Sequence, residues 1–507
     1  MVQNALNEQK AASIPELLET IQDLHETISD LESQINFLKQ QLFGRKSEKR
    51  VLDQIPGQLS IFGEEGIEPV PVEPESAPVV DVPAHKRKAK RSKEELFKDL
   101  PKEQKIFGLE DPYCPECGTR MEAIGLEYIR SELVYVPASA HVVEYYSRVY
   151  KCPECGDNES HDALRRDALP VIVKTPTPEP FIPKSYCSRE LMAQIVYEKF
   201  MKGVPLYRLE SDFSHYNMGL QRATMSNWLI YTAEKYGKPV YDAMKQDLLK
   251  GKVLHADETP VQVLHEPNRK ATTKSKMWLY CAPKSSGKHI NLFQYTETRN
   301  GDNAAAFLKG YKGYAITDGY DGYNKLVDVI RCGCWVHCKR KWIQALPTDK
   351  TVRATSRAAK GVEWCEKIFH IEKELEDLTP EERQMKRQER LKPVLDGFYA
   401  WLGEFEPTKG TSLANAYWYT IHEKEYLYRC LENGEIEIHN NRAENAIRPF
   451  VVGRKNWLFC NTPNGAKAAE IWYSLITTAY ANGLNVREYL LKLFTSKTPV
   501  LPYPKNE

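Results

Sequence analysis

At 507 residues the chain exceeds what one hydrophobic core supports, so about two to four structural units are expected. It is 42% hydrophobic and 27% charged, and no apolar run reaches the ~20 residues of a membrane helix, which excludes a membrane-spanning role. A net charge of +1 decides nothing about nucleic acid; local charge must. The opening residues "MVQNALNEQKAAS" lack a basic segment followed by an apolar one, so a cytoplasmic protein is expected. There its twelve cysteines serve as thiols or metal ligands rather than as a disulfide framework.

Residues 1–50 carry a heptad seam. Leu17, Leu24, Leu31 and Leu38 fall at d, and Ile21, Ile28 and Ile35 at a, the pattern that favours a parallel two-stranded coil. The flanking positions carry few charges, so the expected partner is a second copy of the chain. Residues 51–100 form a Pro- and Glu-rich linker ending in the basic cluster "HKRKAKRSK" at 85–93. In 101–170, Cys114-Pro-Glu-Cys117 and Cys152-Pro-Glu-Cys155 supply four thiolates, each pair followed by a glycine that permits the tight turn beneath it. Four such sulfurs close a tetrahedral Zn²⁺ site, and the alternating segments between them suit a zinc ribbon. His161 is a bystander.

From 185 to 248 the periodicity turns helical. A helix from about Leu206, the turn "HYNMG" and a helix over "RATMSNWLIYTAEKY" resemble a helix-turn-helix. Its second helix would present Arg222, Thr224, Ser226 and Asn227 to bases or phosphates.

In residues 249–335, "KVLHADETPVQVL" alternates as a strand. Val253, His255 and Asp257 then lie on one face, and Leu254, Ala256 and Glu258 on the other. The run "YKGYAITDGYDGYN" again leads to an acid, Asp318, with Gly319 turning the chain. "RCGCWVHCKRKW" reads as a buried sulfur-rich strand-to-helix junction, its Cys332, Cys334, His337 and Cys338 too cramped for one tetrahedral site. Residues 336–432 read as a helical insertion. In 433–462, Asn441 is expected to cap a short helix that buries Ala443 and Ile447, presents Glu444 near its start and is limited by Pro449. Alone, Glu444 is explained by a capping box with Asn441 or an ion pair with Arg448. Together, two strand-end aspartates and a helical glutamate supply hard oxygen ligands for two Mg²⁺ (or Mn²⁺) ions of a phosphoryl-transfer site. Arg442, Arg448, Arg454 and Lys455 surround the third acid, with Trp457 beside them, a combination suited to a nucleic-acid backbone. Residues 463–507 form a C-terminal helical segment.

These residues resemble the transposases of the insertion sequence 66 family, bacterial DDE transposases. The likeness rests on the heptads ending in "LFGRKSEK", the paired "CPEC" knuckles, "VPLYR", "LHADETPVQVL", "TDGYDGYN", "CWVH", "NNRAENAIRPFVVGRKNWLF" and "YSLITTAYANGL". It implies a multidomain α/β chain whose RNase H-like catalytic core is interrupted by a helical insertion and preceded by coiled coil, zinc ribbon and helix-turn-helix-like domain. It implies that the acid triad is Asp257, Asp318 and Glu444, and that Cys334 and His337 form a Cys-x-x-His motif shaping the active site. His439 and Asn445 depart from the family pattern, which commonly has an acid and an arginine there. The expected activity is hydrolytic nicking at the terminal inverted repeats of a mobile element, followed by attack of the freed 3′-hydroxyl on target DNA, with accessory proteins of the same element as further partners. A non-catalytic dimeric DNA-binding regulator, or a nuclease that cuts without joining, are the alternatives.

Overall fold

The computed structural model describes residues 141–147, 149–151, 172–174 and 178–504. The heptad seam, the linker with its basic cluster, and Cys114, Cys117, Cys152 and Cys155 lie outside the described residues. The first two strands, β1 (Val149–Lys151) and β2 (Ile172–Lys174), pair antiparallel.

Helix α1 (Arg189–Val196) starts at Ser188, whose hydroxyl accepts from the Leu191 N–H at 3.1 Å, and widens into a π turn, Tyr197–Met201. Helices α2 (Leu206–His215) and α3 (Arg222–Thr232) follow, separated by a turn with Asn217 at φ 58°. A second π turn, Ala233–Gly237, leads into α4 (Lys238–Leu249).

A five-stranded sheet comes next: β3 (Val253–Gln262), β4 (Lys274–Cys281) and β5 (Asn291–Thr296) as an antiparallel meander, then, after α5 (Gly301–Phe307), the short strands β6 (Tyr314–Ile316) and β7 (Ile330–Cys332). The order is β5-β4-β3-β6-β7, with β6 parallel to β3 and β7 parallel to β6. The central strand β3 is covered on both faces. Leu254, Ala256 and Val261 join the larger core, while Val253 joins Ile316 and Cys332 in a second core built on Trp335, Trp342 and Phe398.

The second core belongs to the helices that follow β7: α6 (Trp335–Gln344), α7 (Lys350–Thr355), α8 (Arg357–Glu374), α9 (Pro380–Lys386), α10 (Lys392–Leu402), α11 (Ser412–His422) and α12 (Lys424–Tyr428). Asp349, Ser356 and Thr411 cap three of them, and Thr379 with Glu382 forms a capping box on α9. The chain then returns to the sheet through α13 (Asn441–Trp457), α14 (Pro463–Ala481) and α15 (Val486–Thr495). On α14 the side chains of Thr478, Ser474 and Glu470, spaced by four, accept from the N–H groups of Asn291, Phe293 and Tyr295, spaced by two. One helical turn matches two strand residues in length, so these bonds close the edge of β5 to further pairing. Among the described residues no helix is long and apolar enough to cross a membrane.

Candidate active site

The parallel register pairs Val253 with Tyr314 and His255 with Ile316; carried two residues further, it sets Asp318 level with Asp257. Both acids lie where the ladder between β3 and β6 stops. Gly319 follows because the ring of Tyr419 on α11 comes within 2.7 Å of where a Cβ would stand. The loop backbone is held by the buried Arg331 of β7, whose guanidinium donates to the Asp318 carbonyl at 3.0 Å, to the Thr317 hydroxyl at 3.1 Å and to Glu423 at 2.5 Å.

Glu444 stands in the first turn of α13, which packs beside β3. Its local setting differs from the sequence expectation. The residue at the N-cap is Asn440, not Asn441, and its side chain makes no cap bond, because it is used across the sheet. Its amide donates to the Ala256 carbonyl at 2.8 Å and lies 3.1 Å from His255 Nδ1, while its backbone N–H donates to Cys334 Sγ at 3.2 Å. Nor does Pro449 stop the helix, which runs through it for 17 residues. Burial of Ile447, Phe450 and Gly453 in the larger core offsets the single hydrogen bond that proline removes. Capping-box and Arg448 explanations of Glu444 are also set aside: its ionisable neighbours are Arg340, at 3.5 Å, and His337, whose Nε2 is 3.8 Å away. Both come from α6, the helix that Cys334 opens.

The electrostatics single out Asp257. Its carboxyl is pushed up to about 8: loss of hydration is the largest cause, the charges of Glu258, Asp318 and Glu444 add to it, and the Glu258 N–H bond at 2.8 Å opposes it. Glu258, on the opposite face, is also raised by desolvation and by Asp318, but it is held by Arg299 at 2.5 Å and the Tyr323 hydroxyl at 2.9 Å. Burial lowers His337 below the ordinary histidine range, so a neutral imidazole faces Glu444. Burial likewise lifts the Cys334 thiol to about 11, keeping it protonated and a poor metal ligand. Cys332, Cys334 and Cys338 are buried at the strand-to-helix junction, as their spacing suggested.

Chemically, the acids form an all-oxygen donor set suited to a hard divalent cation. One oxygen of Glu444 is buried without a hydrogen-bond partner, and the mutual repulsion felt by Asp257 is what a bound cation would relieve. The carboxylates are not closed round a common point: among the described residues no group of three or more His, Cys, Asp or Glu side chains is placed to hold a metal ion.

Other residues singled out in the sequence have mixed settings. Arg442 donates to Glu437 at 3.0 Å, and Arg454 reaches β3 at the Thr259 hydroxyl (2.8 Å) and the Pro260 carbonyl. Arg448 is half-buried and Lys455 exposed. Trp457 packs against Lys199 and Tyr473. On α3, Arg222 and Asn227 are exposed and Thr224 and Ser226 half-buried, with the Arg222 N–H donating to Glu210 of α2 at 3.0 Å. Sequence reasoning missed Asn440, His255 and Arg331, whose partners lie far away along the chain.

A family model described as Transposase IS66 family matches residues 184–468, more than half of the chain and all three acid-bearing segments. The chain belongs to the IS66 transposase family. Two further family models extend the match: the zinc-finger binding domain of transposase IS66 over 111–156, which spans all four knuckle cysteines, and Transposase C of IS166 homeodomain over 30–104. Three proteins of Sinorhizobium fredii (strain NBRC 101917 / NGR234), each described as uncharacterized, are similar to this family member. Protein y4hP is 25% identical over 477 residues, covering 89% of this chain and 82% of its own. For y4jD the identity is 26%, covering 78% and 76%, and for y4qI 26%, covering 64% and 62%.

Proposed function

We propose that the chain is a DDE transposase that binds the terminal inverted repeats of its insertion sequence, nicks the element ends by metal-dependent hydrolysis and joins the 3′-hydroxyl to target DNA. The observation that carries this reading is that Asp318 and Glu444, from two distant segments, lie near enough to the buried Asp257 for their charges to act on it, in a chain of the IS66 transposase family. An RNase H-like core is supported by the sheet itself: an antiparallel three-strand meander whose first strand is joined by two parallel strands. The helices between Trp335 and Tyr428 are then the insertion within that core.

Asp257, Asp318 and Glu444 would hold two Mg²⁺ ions, which would supply activation of the attacking oxygen and stabilisation of the leaving 3′ oxygen. The protein's own work is positional. Arg331 fixes the Asp318 backbone, Asn440 ties the strand carrying Asp257 to the helix carrying Glu444, and Arg340 with neutral His337 orients the Glu444 carboxylate. Cys334 supports Asn440 and is not a ligand. Arg448 and Lys455 contact DNA phosphates, with Arg442 and Arg454 holding the backbone behind them. Arg222, Thr224, Ser226 and Asn227 read the repeats together with a zinc ribbon on Cys114, Cys117, Cys152 and Cys155. The coiled coil pairs two protomers so that both element ends are held, and accessory proteins of the element take part.

The test is Mg²⁺-dependent cleavage and joining of labelled DNA carrying the element's own ends, with Asp257→Ala and Glu444→Ala compared at matched DNA binding. Both variants are expected to lose cleavage and joining. Tight end-specific binding by the wild type with no cleavage, even with the accessory proteins present, would overturn the reading in favour of a regulator; cleavage without joining would leave a nuclease.

A further inference from the structure

The last turn of α13 does not end as helices ordinarily do. Leu458 lies at φ 65° and ψ −50°, and the Phe459 N–H donates to the Trp457 carbonyl at 2.8 Å. That is a γ-turn of the strained, positive-φ kind, here on a residue with a branched side chain. Such a conformation is strained and persists only where its surroundings enforce it. They do so from both sides. Leu458 N–H is tied to the Arg454 carbonyl at 2.8 Å, and the following residues are stitched to the end of β3, Cys460 N–H to the Gln262 carbonyl at 2.9 Å and Leu264 N–H to the Cys460 carbonyl at 3.0 Å.

What the turn holds out is apolar: Leu458 is 63% exposed and Phe459 43%. Its surroundings are cationic. The adjoining β3–β4 hairpin, tied to the same segment through His265 and Asn461 at 3.1 Å, exposes Lys270 and Lys274. The acid of that hairpin, Glu266, is buried and neutralised by Arg269. Along α13, Glu444, Arg448, Val452 and Lys455 recur at intervals of four, four and three and so share one face. Val452 is 53% exposed and Lys455 is exposed. This face leads from the acid site to the turn, 14 residues or roughly 20 Å at 1.5 Å per residue. Rigid apolar tips amid cations match a polyanion that also offers flat apolar faces, which is DNA.

We propose that Leu458 and Phe459 form a base-stacking wedge that engages the element-end duplex about six base steps from the cleaved bond, with the phosphate backbone following Arg448 and Lys455 along α13. This rests on the reading of the acid site as the place where the DNA is cut, but the wedge has its own readout.

The full chain is mixed with a duplex carrying one element end, in which 2-aminopurine replaces a base at successive positions across about ten base pairs from the cleaved bond. Wild type and Phe459→Tyr are expected to change the fluorescence at one or two adjacent positions near the sixth. Phe459→Ala and the double variant Leu458→Gly/Phe459→Ala should lose that change and bind the duplex roughly tenfold more weakly. Glycine accepts the positive φ, so the double variant keeps its fold and melts no lower than wild type. An unaltered signal in Phe459→Ala, or bound DNA with no position-specific change, overturns the wedge. Mg²⁺-dependent cleavage in the same samples separates the two readings. Cutting without a Phe459-dependent signal removes the wedge alone, the signal without cutting removes the transposase chemistry alone, and absence of end binding by wild type removes both.

Discussion

Arg387 and Arg331 lie inside the protein and each meets a carboxylate: Arg387 bonds Glu372 together with the carbonyls of Cys430, Asn433 and Ile436, and Arg331 bonds Glu423. Asp257, also withdrawn from water, has Glu258, Asp318 and Glu444 as the charges that act on it most. The first arrangement neutralises its charge within the fold and serves to hold the helical layer together. The second leaves repulsion in place, which folding alone gives no reason to keep; a ligand of opposite sign does.

The comparison can be broken most severely at Arg387. Arg387→Ala leaves Glu372 and three carbonyls without their partner and should destabilise the protein by about 3–5 kcal/mol in chemical denaturation. Asp257→Asn should do the reverse. The folded carboxyl titrates near 8 against an ordinary value of 3.8, so the folded state binds the extra proton between those values, and wild-type stability falls as pH rises through that window. The variant should therefore match wild type below about pH 4 and exceed it progressively as pH rises to 8, while losing cleavage. Mg²⁺ at ten times its Kd should restore about 1.4 kcal/mol to wild type at pH 8, and little to Asp257→Asn, as read from melting curves. The smallest effect belongs to Arg340→Ala. Its contact with Glu444 is half-exposed, so stability should change by less than about 1 kcal/mol. A larger loss there would place Glu444 among the structural carboxylates.

Much of this was legible in the sequence, and the limits have physical causes. Strand alternation separates Asp257 from Glu258, and the structure gives the two faces different partners, a cluster of acids for one and an arginine with a tyrosine for the other. The buried sulfur junction was readable from its crowding. What local pattern misjudged was α13. Asn441 looked like a cap and Pro449 like a stop, because the competing bonds to Ala256, His255 and Cys334 and the core around Phe450 lie across the fold. No window along the chain contains both ends of those contacts, and the same holds for Arg331 and Glu423.

The bond from Asn440 to the Ala256 carbonyl joins residues 184 positions apart. The β3–β4–β5 meander, by contrast, closes over short loops, so it should form early in folding, whereas docking of α13 waits on a much longer loop closure. During synthesis from the N-terminus, a chain that has not yet exposed Asn440 can carry Asp257 and Asp318 but not the helix that brings Glu444 beside them. Completion of the acid cluster is thereby deferred to a late step, and truncated translation products hold strands and helices without the assembled cluster.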